Sequence, residues 1–249
     1  MRKITCIVLF FFLAWGVGCV IMKKPSCNPL FAFAKQVPVS LSSLQSYPGN
    51  MVFSGSRAKR QIALTFDDGP DLLFTPQILN VLKAHHVHAT FFLMAERAQK
   101  YPQIVRRIKN EGHAVGGHTY SHLNLLKAKS DRFEWEMKKS EEVLRPLLGY
   151  NPRLFRPPYG AATKQQLKWL HKHGYTVVHW DVDSLDWKQL SAKQITQNIL
   201  RQAKPGSIIL LHSASGKGGD LTGTVQALPG VIKALKAAHL EFVTVPEIL

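Results

Sequence analysis

Cysteine is scarce in this chain, and all of it lies near the beginning. The 249 residues include three cysteines, Cys6, Cys19 and Cys27, and none follows position 27. The remainder of the chain therefore has no disulfide bond and no thiol that could ligate a metal or act as a nucleophile. This distribution excludes cysteine hydrolases and zinc sites built from cysteine.

Two common signatures are also missing. No Gly-x-Gly-x-x-Gly follows a strand-like segment, which argues against a dinucleotide-binding Rossmann sheet. No His-Glu-x-x-His is present, so the chain lacks the zinc site and the general base of the common metalloproteases. A hydrolytic site in this chain must take its base from another part of the sequence.

Acidic residues are few relative to basic ones. The chain has 32 Lys and Arg against 16 Asp and Glu, which gives a formal net charge of +16. Such a balance attracts polyanions, which include nucleic acid, anionic cell-wall polymer and anionic lipid headgroups, although it also serves plain solubility. No nucleic-acid recognition motif is present, so we expect no nucleic-acid partner.

The N-terminus carries a long apolar run, from Ile4 to Met22, with basic residues on both sides. Its length is about right for a membrane span and long for the core of a signal peptide, whereas Ala32-Phe33-Ala34 has the small-x-small pattern of a cleavage site. We therefore predict that residues 1–34 are a signal peptide or an N-terminal membrane anchor. Either one exports the protein, so we expect it to be secreted or held at the outer face of the cell membrane, with membrane contact through this segment.

The rest of the chain divides into a linker, predicted over residues 35–60, and a catalytic domain, predicted over residues 61–249. In the latter, strand-like and helix-like segments alternate in about seven βα units, which favours a parallel sheet and an incomplete (β/α) barrel. The predicted strands are 62–66, 89–93, 114–116, 154–156, 175–181, 207–212 and 241–245. The predicted helices are 75–84, capped by Thr75, and 102–111, 131–148, 163–173, 191–202 and 226–238.

Polar residues collect where these strands end, and functional groups gather at the carboxyl ends of parallel strands. Asp67 and Asp68 directly follow the first strand; Asp181, Asp183 and Asp186 follow a later one. Adjacent carboxylates point in different directions, so one can bind a metal while the other stays free as a base. The alternative interpretation of Asp67 and Asp68 is that they belong to an ordinary Asp-Gly turn with no functional role.

A histidine pair follows the third strand. His118 and His122 are four residues apart, so on a helical turn both can meet one ion, and zinc accepts both imidazole nitrogen and carboxylate oxygen. With Asp68 they make an Asp-His-His set that leaves a coordination position open for water. The alternative is that they are two surface histidines among the eleven in the chain.

Five short motifs, taken together, resemble those of the polysaccharide deacetylases with a NodB homology domain, carbohydrate esterase family 4. The resemblance covers roughly Gln61 to Leu249. In chain order the motifs are Thr65-Phe66-Asp67-Asp68-Gly69-Pro70, His118-x-x-x-His122, Arg156-Pro157-Pro158-Tyr159-Gly160, Asp183-Ser184-Leu185-Asp186-Trp187 and Leu210-Leu211-His212. One motif departs slightly, because Ser213 follows the last histidine where many relatives have Asp; we expect the 214–219 loop behind it to affect substrate selection.

The resemblance implies a distorted (β/α) barrel with roughly seven or eight parallel strands. It also implies that Asp68, His118 and His122 hold one divalent metal ion, most often Zn²⁺, with Co²⁺ or another divalent ion as alternatives. Asp67 is then the general base, with Arg156 as its salt-bridge partner.

The resemblance assigns the remaining motif residues to the substrate and the leaving group. The backbone N–H of Tyr159 helps to stabilise the oxyanion, and Trp187 and Leu210 line a small pocket for the acetyl methyl group. His212 is the general acid, tuned by Asp186. A carboxylate beside an imidazole favours its protonated form, which fits that assignment.

The activity implied is hydrolysis of the N-acetyl group of N-acetylglucosamine or N-acetylmuramic acid units in peptidoglycan, or of chitin-like oligosaccharides. The expected partner is thus an acetylated polysaccharide, and a monomer is the default assembly. Two rivals remain open: a deacetylase acting on O-acetyl xylan or on a small amide or imide, and a non-catalytic glycan-binding domain. A non-catalytic glycan-binding domain would be expected to have lost a metal ligand or the base. All of these residues are present here: Asp67, Asp68, His118, His122 and His212.

Overall fold

The structure is a computed structural model and describes residues 51–249. The predicted N-terminal segment and the linker up to residue 50 lie outside the described residues. Within residues 51–249, no helix combines the length and the apolar character that crossing a membrane requires.

Nine strands of the described chain form one sheet in which every strand pair is parallel. Their spatial order is β1-β6-β5-β4-β3-β2-β8-β7, with β9 beside β2. The predicted distorted (β/α) barrel of parallel strands is confirmed. The strands are β1 Met51–Val52, β2 Gln61–Asp67, β3 Thr90–Leu93, β4 Ala114–Gly117, β5 Leu154–Phe155, β6 Thr176–Val178, β7 Val182–Asp183, β8 Ile208–His212 and β9 Glu241–Phe242.

Eight α-helices connect and follow these strands in the described part of the chain. The six predicted helices are present, although the last one begins four residues earlier than predicted. Two short helices were missed, because a segment of four to six residues is too short to display helical periodicity. The helices are α1 Phe74–Ala84, α2 Ala95–Lys100, α3 Pro102–Asn110, α4 Ser130–Leu148, α5 Lys164–Lys172, α6 Ala192–Gln202, α7 Thr222–Ala237 and α8 Val245–Ile248.

Side-chain caps explain where several helices begin. Thr163 and Ser191 each form a capping box at the start of α5 and α6. The predicted cap of α1 was wrong: Asp71, rather than Thr75, accepts the backbone N–H groups at that helix start, including that of Phe74 at 2.7 Å. The Thr75 hydroxyl instead donates to the carbonyl of Ser213, because Thr75 is fully buried inside the first turn.

The predicted strand 175–181 was also wrong at its end. The strand stops at Val178, and a separate short strand begins at Val182. Asp181 therefore precedes β7, where it pairs with Arg57 at 2.6 Å and accepts the N–H of Ile208 at the start of β8. It lies at the opposite end of the sheet from the motif residues.

The central strand β2 positions the first motif. Its residues from Ile62 to Phe66 are fully buried, and its two faces pack against different side-chain clusters. Strands buried on both faces are typical of parallel sheets covered by helices. As β2 lies between β3 and β8, its last residue, Asp67, pairs in register with His212 at the end of β8.

Candidate active site

Three side chains from two loops converge at the carboxyl end of the sheet. Asp68 follows β2, and His118 and His122 belong to the loop after β4. Asp68 Oδ1 lies 3.3 Å from His118 Nε2 and 3.2 Å from His122 Nε2. One ligand atom from each residue lies within 4.8 Å of the other two, so all three can reach a single ion.

Hydrogen bonding around His118 makes this set suitable for a cation. Its Nδ1 lies 2.6 Å from the carbonyl oxygen of Arg156, which can only accept, so Nδ1 carries the proton. In the neutral imidazole Nε2 is then a bare acceptor, and it faces the carboxylate oxygen of Asp68. That oxygen is buried and receives no hydrogen bond from the described residues. A cation between these two atoms would be coordinated by both, so the residues present fit a metal ion.

The electrostatics of Asp68 agree with a ligand role. Burial by itself disfavours its charged form, but the neighbouring His118 and His122, with His212 further away, outweigh burial and hold the pKa of this carboxyl well below its usual value. The group is therefore an anion at neutral pH, as a metal ligand must be.

Asp67 faces a different partner from its neighbour. Its Oδ1 accepts a hydrogen bond from Arg156 Nη1 at 2.8 Å, and its side chain is almost fully buried. The two adjacent carboxylates thus have separate surroundings: Asp68 meets the two imidazoles, whereas Asp67 is paired with a guanidinium.

Arg156 is held rigidly. It is fully buried, and it donates to the carbonyls of Val178 and His179 and to the hydroxyl of Thr65, besides Asp67. Its guanidinium also lies 4.2 Å from the centre of the Phe92 ring. Burial lowers the pKa of Arg156, and the Asp67 carboxylate opposes that shift, so the arginine stays charged and fixes the orientation of Asp67.

His212 and Asp186 form a second ion pair. His212 Nδ1 lies 2.7 Å from Asp186 Oδ1, and the backbone N–H of His212 donates to Asp186 Oδ2 at 2.9 Å. The carboxylate is fixed further by the buried hydroxyl of Thr224, which donates to Oδ2 at 3.0 Å. These contacts fix the orientation of the His212 ring. They occupy Nδ1 and leave Nε2 as the ring nitrogen that does not contact Asp186.

The pKa of His212 is strongly raised. Burial favours the neutral ring, but the charge and hydrogen bond of Asp186, helped by Asp68 and Asp67, outweigh it and raise the pKa to about 10. A divalent cation held by Asp68 would offset part of this. The ion pair with Asp186 thus favours the protonated imidazole, which can give up a proton.

The other motif residues lie near this edge of the sheet, and their roles stay predictions. Tyr159 occupies a 3₁₀ turn with φ of 60°, and its ring lies 4.8 Å from that of His122. Trp187 is half-buried in the turn that begins with Asp186, and its indole hydrogen-bonds to the Asp183 carboxyl. Leu210 is buried on β8, in register with Asp183.

Two buried polar side chains at the site were missed by sequence reasoning. Thr224 contacts Asp186, and Glu136 on α4 accepts hydrogen bonds from the loop that carries the metal-site histidines. Both lie on helices outside the five motifs. Glu136 offers one signal, since it is a charged residue on the buried side of an amphipathic helix, next to Phe133 and Met137.

Comparison with known proteins gives a family match. The family model described as polysaccharide deacetylase matches residues 54–178. A peptidoglycan-N-acetylglucosamine deacetylase of Bacillus cereus is 52% identical over 194 residues, which is 78% of this chain and 70% of that protein. A chitooligosaccharide deacetylase of Azorhizobium caulinodans is 37% identical over 185 residues, covering 71% of this chain and 88% of that protein.

A solved structure agrees with the sequence matches. A crystal structure of a peptidoglycan N-acetylglucosamine deacetylase superposes with a TM-score of 0.80 at 50% identity. The match covers 84% of this chain and 95% of that chain. The likeness therefore extends over nearly all the residues described above.

Proposed function

This chain belongs to the polysaccharide deacetylase family, and we propose that it is the metal-dependent enzyme that removes the N-acetyl group from N-acetylglucosamine units of peptidoglycan. The observation that carries the proposal is the arrangement at the end of β2. An Asp-His-His set that fits one cation lies beside a second carboxylate, Asp67, with the protonated His212 close by.

Asp68, His118 and His122 hold the divalent ion, for which we propose Zn²⁺. A carboxylate and two imidazoles leave a position open, which is the ligand pattern of catalytic zinc. When bound, such an ion polarises the acetamide carbonyl and lowers the pKa of a water molecule toward about 7.

Asp67 acts as the general base. The salt bridge to Arg156 at 2.8 Å holds it in a single orientation. It accepts a proton from the attacking water as the water oxygen bonds to the acetyl carbon. The backbone N–H of Tyr159 donates to the oxygen of that carbonyl, which takes up negative charge; such a donor typically contributes about 3 kcal/mol.

His212 acts as the general acid. An amine leaves poorly unless it is protonated, and the His212 ring carries the proton that the amine needs. Breaking the carbon–nitrogen bond then yields acetate and a free amino sugar. Asp186, oriented by Thr224, keeps the ring protonated until that step. Trp187 and Leu210 enclose the acetyl methyl group.

The substrate and the place of action follow from further observations. The relatives named above act on peptidoglycan or chitooligosaccharide, and the basic composition of this chain suits an anionic cell-wall polymer. The apolar N-terminal run exports the catalytic domain, so we place the enzyme outside the cytoplasm, at the cell wall.

Acetate release from a panel of substrates tests the proposal. Peptidoglycan should release acetate, chitin oligomers should release less, and acetylxylan should release none; a chelator should abolish the activity and Zn²⁺ should restore it. Acetate release from acetylxylan alone would favour the alternative hypothesis, a deacetylase that acts on O-acetyl xylan. His118→Ala should lose metal and activity together, and a stoichiometric metal content in that variant would remove His118 from the ligand set.

A further inference from the structure

The loop between the two metal-site histidines has an unfavourable backbone. Thr119 and His122 both have φ of 61°, in the left-handed region that favours glycine. A β-branched residue such as threonine is rare there, because its side chain crowds the backbone. Contacts from outside the loop must therefore hold it in this conformation.

One set of contacts comes from α2. The N–H groups of Ala95 and Glu96, at the start of that helix, donate to the carbonyls of Thr119 and Tyr120 at 3.1 and 3.0 Å. These hydrogen bonds satisfy the carbonyl groups of Thr119 and Tyr120. The N–H groups of the loop need acceptors elsewhere.

Those partners are the oxygens of one buried carboxylate. Glu136 lies on α4 and is fully buried. Its Oε2 accepts the backbone N–H groups of Tyr120 and Ser121 at 2.9 and 2.8 Å, and its Oε1 accepts the Ser121 hydroxyl at 2.7 Å. Arg132, one turn earlier on α4, pairs with Oε1 at 2.6 Å.

The chemistry of Glu136 is unusual for a residue with a purely packing role. A fully buried carboxylate is costly unless its charge is paired and its oxygens are hydrogen-bonded, and here four donors satisfy it. Three of the four donors belong to Tyr120 and Ser121, two of the three residues that separate the metal-site histidines. Without this acceptor, two N–H groups would stay unpaired and the loop could relax toward ordinary φ values, which would move both imidazoles.

We infer that Glu136 is a positioning residue of the metal centre, which sets the backbone of the 119–121 loop so that His118 and His122 meet Asp68 around one ion. The inference rests on the proposed metal site and adds to it a residue that does not touch the ion. Groups that orient metal ligands in this way typically change metal affinity about 10–100-fold when they are removed.

Metal binding by the full-length chain and its Glu136→Gln variant tests this inference. Glutamine keeps the shape of the side chain but replaces one acceptor oxygen by a donor. We expect the Zn²⁺ dissociation constant, measured by competition with a chromogenic chelator, to rise at least about tenfold. We also expect the visible absorption bands of the Co²⁺-loaded protein to change. The matched control is Glu142→Gln on the same helix, where an exposed carboxylate pairs with Lys139 at 3.0 Å; it should bind both ions as the wild type does.

A milder variant covers the case in which Glu136→Gln does not fold. Ser121→Ala removes the hydroxyl that donates to Glu136 and leaves the carboxylate in place, so we expect a several-fold loss of Zn²⁺ affinity with a native circular dichroism spectrum. Unchanged Zn²⁺ affinity and Co²⁺ spectra in the folded variants, even with lowered stability, would overturn the inference and reduce Glu136 to a structural residue. If the wild type itself bound no Zn²⁺ or Co²⁺, the proposed function would fail together with it.

Discussion

At the residue scale, the two adjacent carboxylates of Asp67 and Asp68 differ in the side chains that contact them. Asp68 meets two imidazoles, and Asp67 meets one guanidinium. Aspartate and asparagine have nearly the same shape, so an Asp67→Asn substitution removes charge and basicity while leaving the Asp68 side of the turn intact.

Asp67→Asn should retain its metal and lose nearly all turnover. A positioned general base contributes about 10²–10⁴-fold, so we expect kcat to fall by that factor. Elemental analysis and acetate release from peptidoglycan measure the two quantities on the same sample. Asp131→Asn, at an exposed position on α4, is the control and should behave as the wild type. Full activity of purified Asp67→Asn would refute the base assignment.

Asp186 offers a second residue-scale prediction, which concerns pH. The Asp186 carboxylate favours the protonated ring of His212, so its removal allows the proton to leave at lower pH. The acid must be protonated to act, so activity is lost as pH rises through the pKa of His212. We expect Asp186→Asn to shift the alkaline limb of the kcat/KM profile toward lower pH by at least one unit. An unshifted limb would mean that another group is the acid.

At the element scale, the turn between β5 and α5 carries Tyr159 and depends on a glycine. Gly160 has φ of 65°, and a Cβ atom there would lie 2.8 Å from the Trp180 ring. Gly174, after α5, has a similar φ of 74° but open space around it. The two glycines therefore separate backbone strain from a steric clash.

Gly160→Ala should cost more stability than Gly174→Ala. Both replacements place alanine in the left-handed region, which costs roughly 1–2 kcal/mol, and only the first also displaces Trp180. Urea unfolding measures the difference, and acetate release should fall only in Gly160→Ala because its turn positions Tyr159. Equal losses of stability in the two variants would show that the Trp180 contact adds nothing.

The same scale shows which elements can be predicted from the sequence. The long helices α4 and α6 and the buried strands β2 and β8 carry clear periodicity or a continuous apolar run, and they were predicted close to their observed bounds. The short helix α2 and the two-residue strand β7 have no such pattern. The strand β7 exists because β8 supplies its hydrogen bonds, as Asp183 shows by its pairing in register with Leu210. The start of α2 is held by the loop after β4, whose carbonyls accept the N–H groups of Ala95 and Glu96.

At the scale of the whole molecule, two buried histidines connect folding to pH. His113 and His179 are more than nine-tenths buried, and burial lowers the pKa of each to about 4, with nearby charges, His88 for His113 and Arg156 for His179, acting in the same direction. The Nδ1 of His113 also accepts the N–H of Ala89, which requires an unprotonated nitrogen.

The protein should therefore lose stability as the pH falls. The unfolded chain takes up protons on these histidines below its ordinary pKa of about 6.5, whereas the folded chain does so only near 4, so the loss falls between these values. One group changes the free energy of unfolding by about 1.4 kcal/mol per pH unit in this window. Urea unfolding at pH 7 and at pH 4.5, with a chelator present, measures it. His113→Asn should weaken the dependence, whereas His171→Asn, at an exposed position, should leave it unchanged.

The amino-acid sequence by itself determined the class of fold and the set of residues predicted to form the site. The alternation of buried strands and amphipathic helices depends on local periodicity, which the sequence displays directly. The five motifs are short and follow one another in a fixed order, so they can be recognised without coordinates; they contain Asp67, His118, Arg156, Asp186 and His212. The spacing of His118 and His122 permitted a ligand triad with Asp68, and the resemblance carried by the five motifs selected these three residues from the other acidic residues and histidines.

Only the tertiary structure decided which polar residues near those strings belong to the site. Asp181 and Asp186 have the same chemistry and lie five residues apart, yet the break between β6 and β7 turns the first toward Arg57 and leaves the second beside His212. Glu136 and Thr224 reach the site from helices that lie outside the motifs. A hydrogen bond depends on distance and direction in space, and these are set by how the elements pack rather than by the order of residues along the chain.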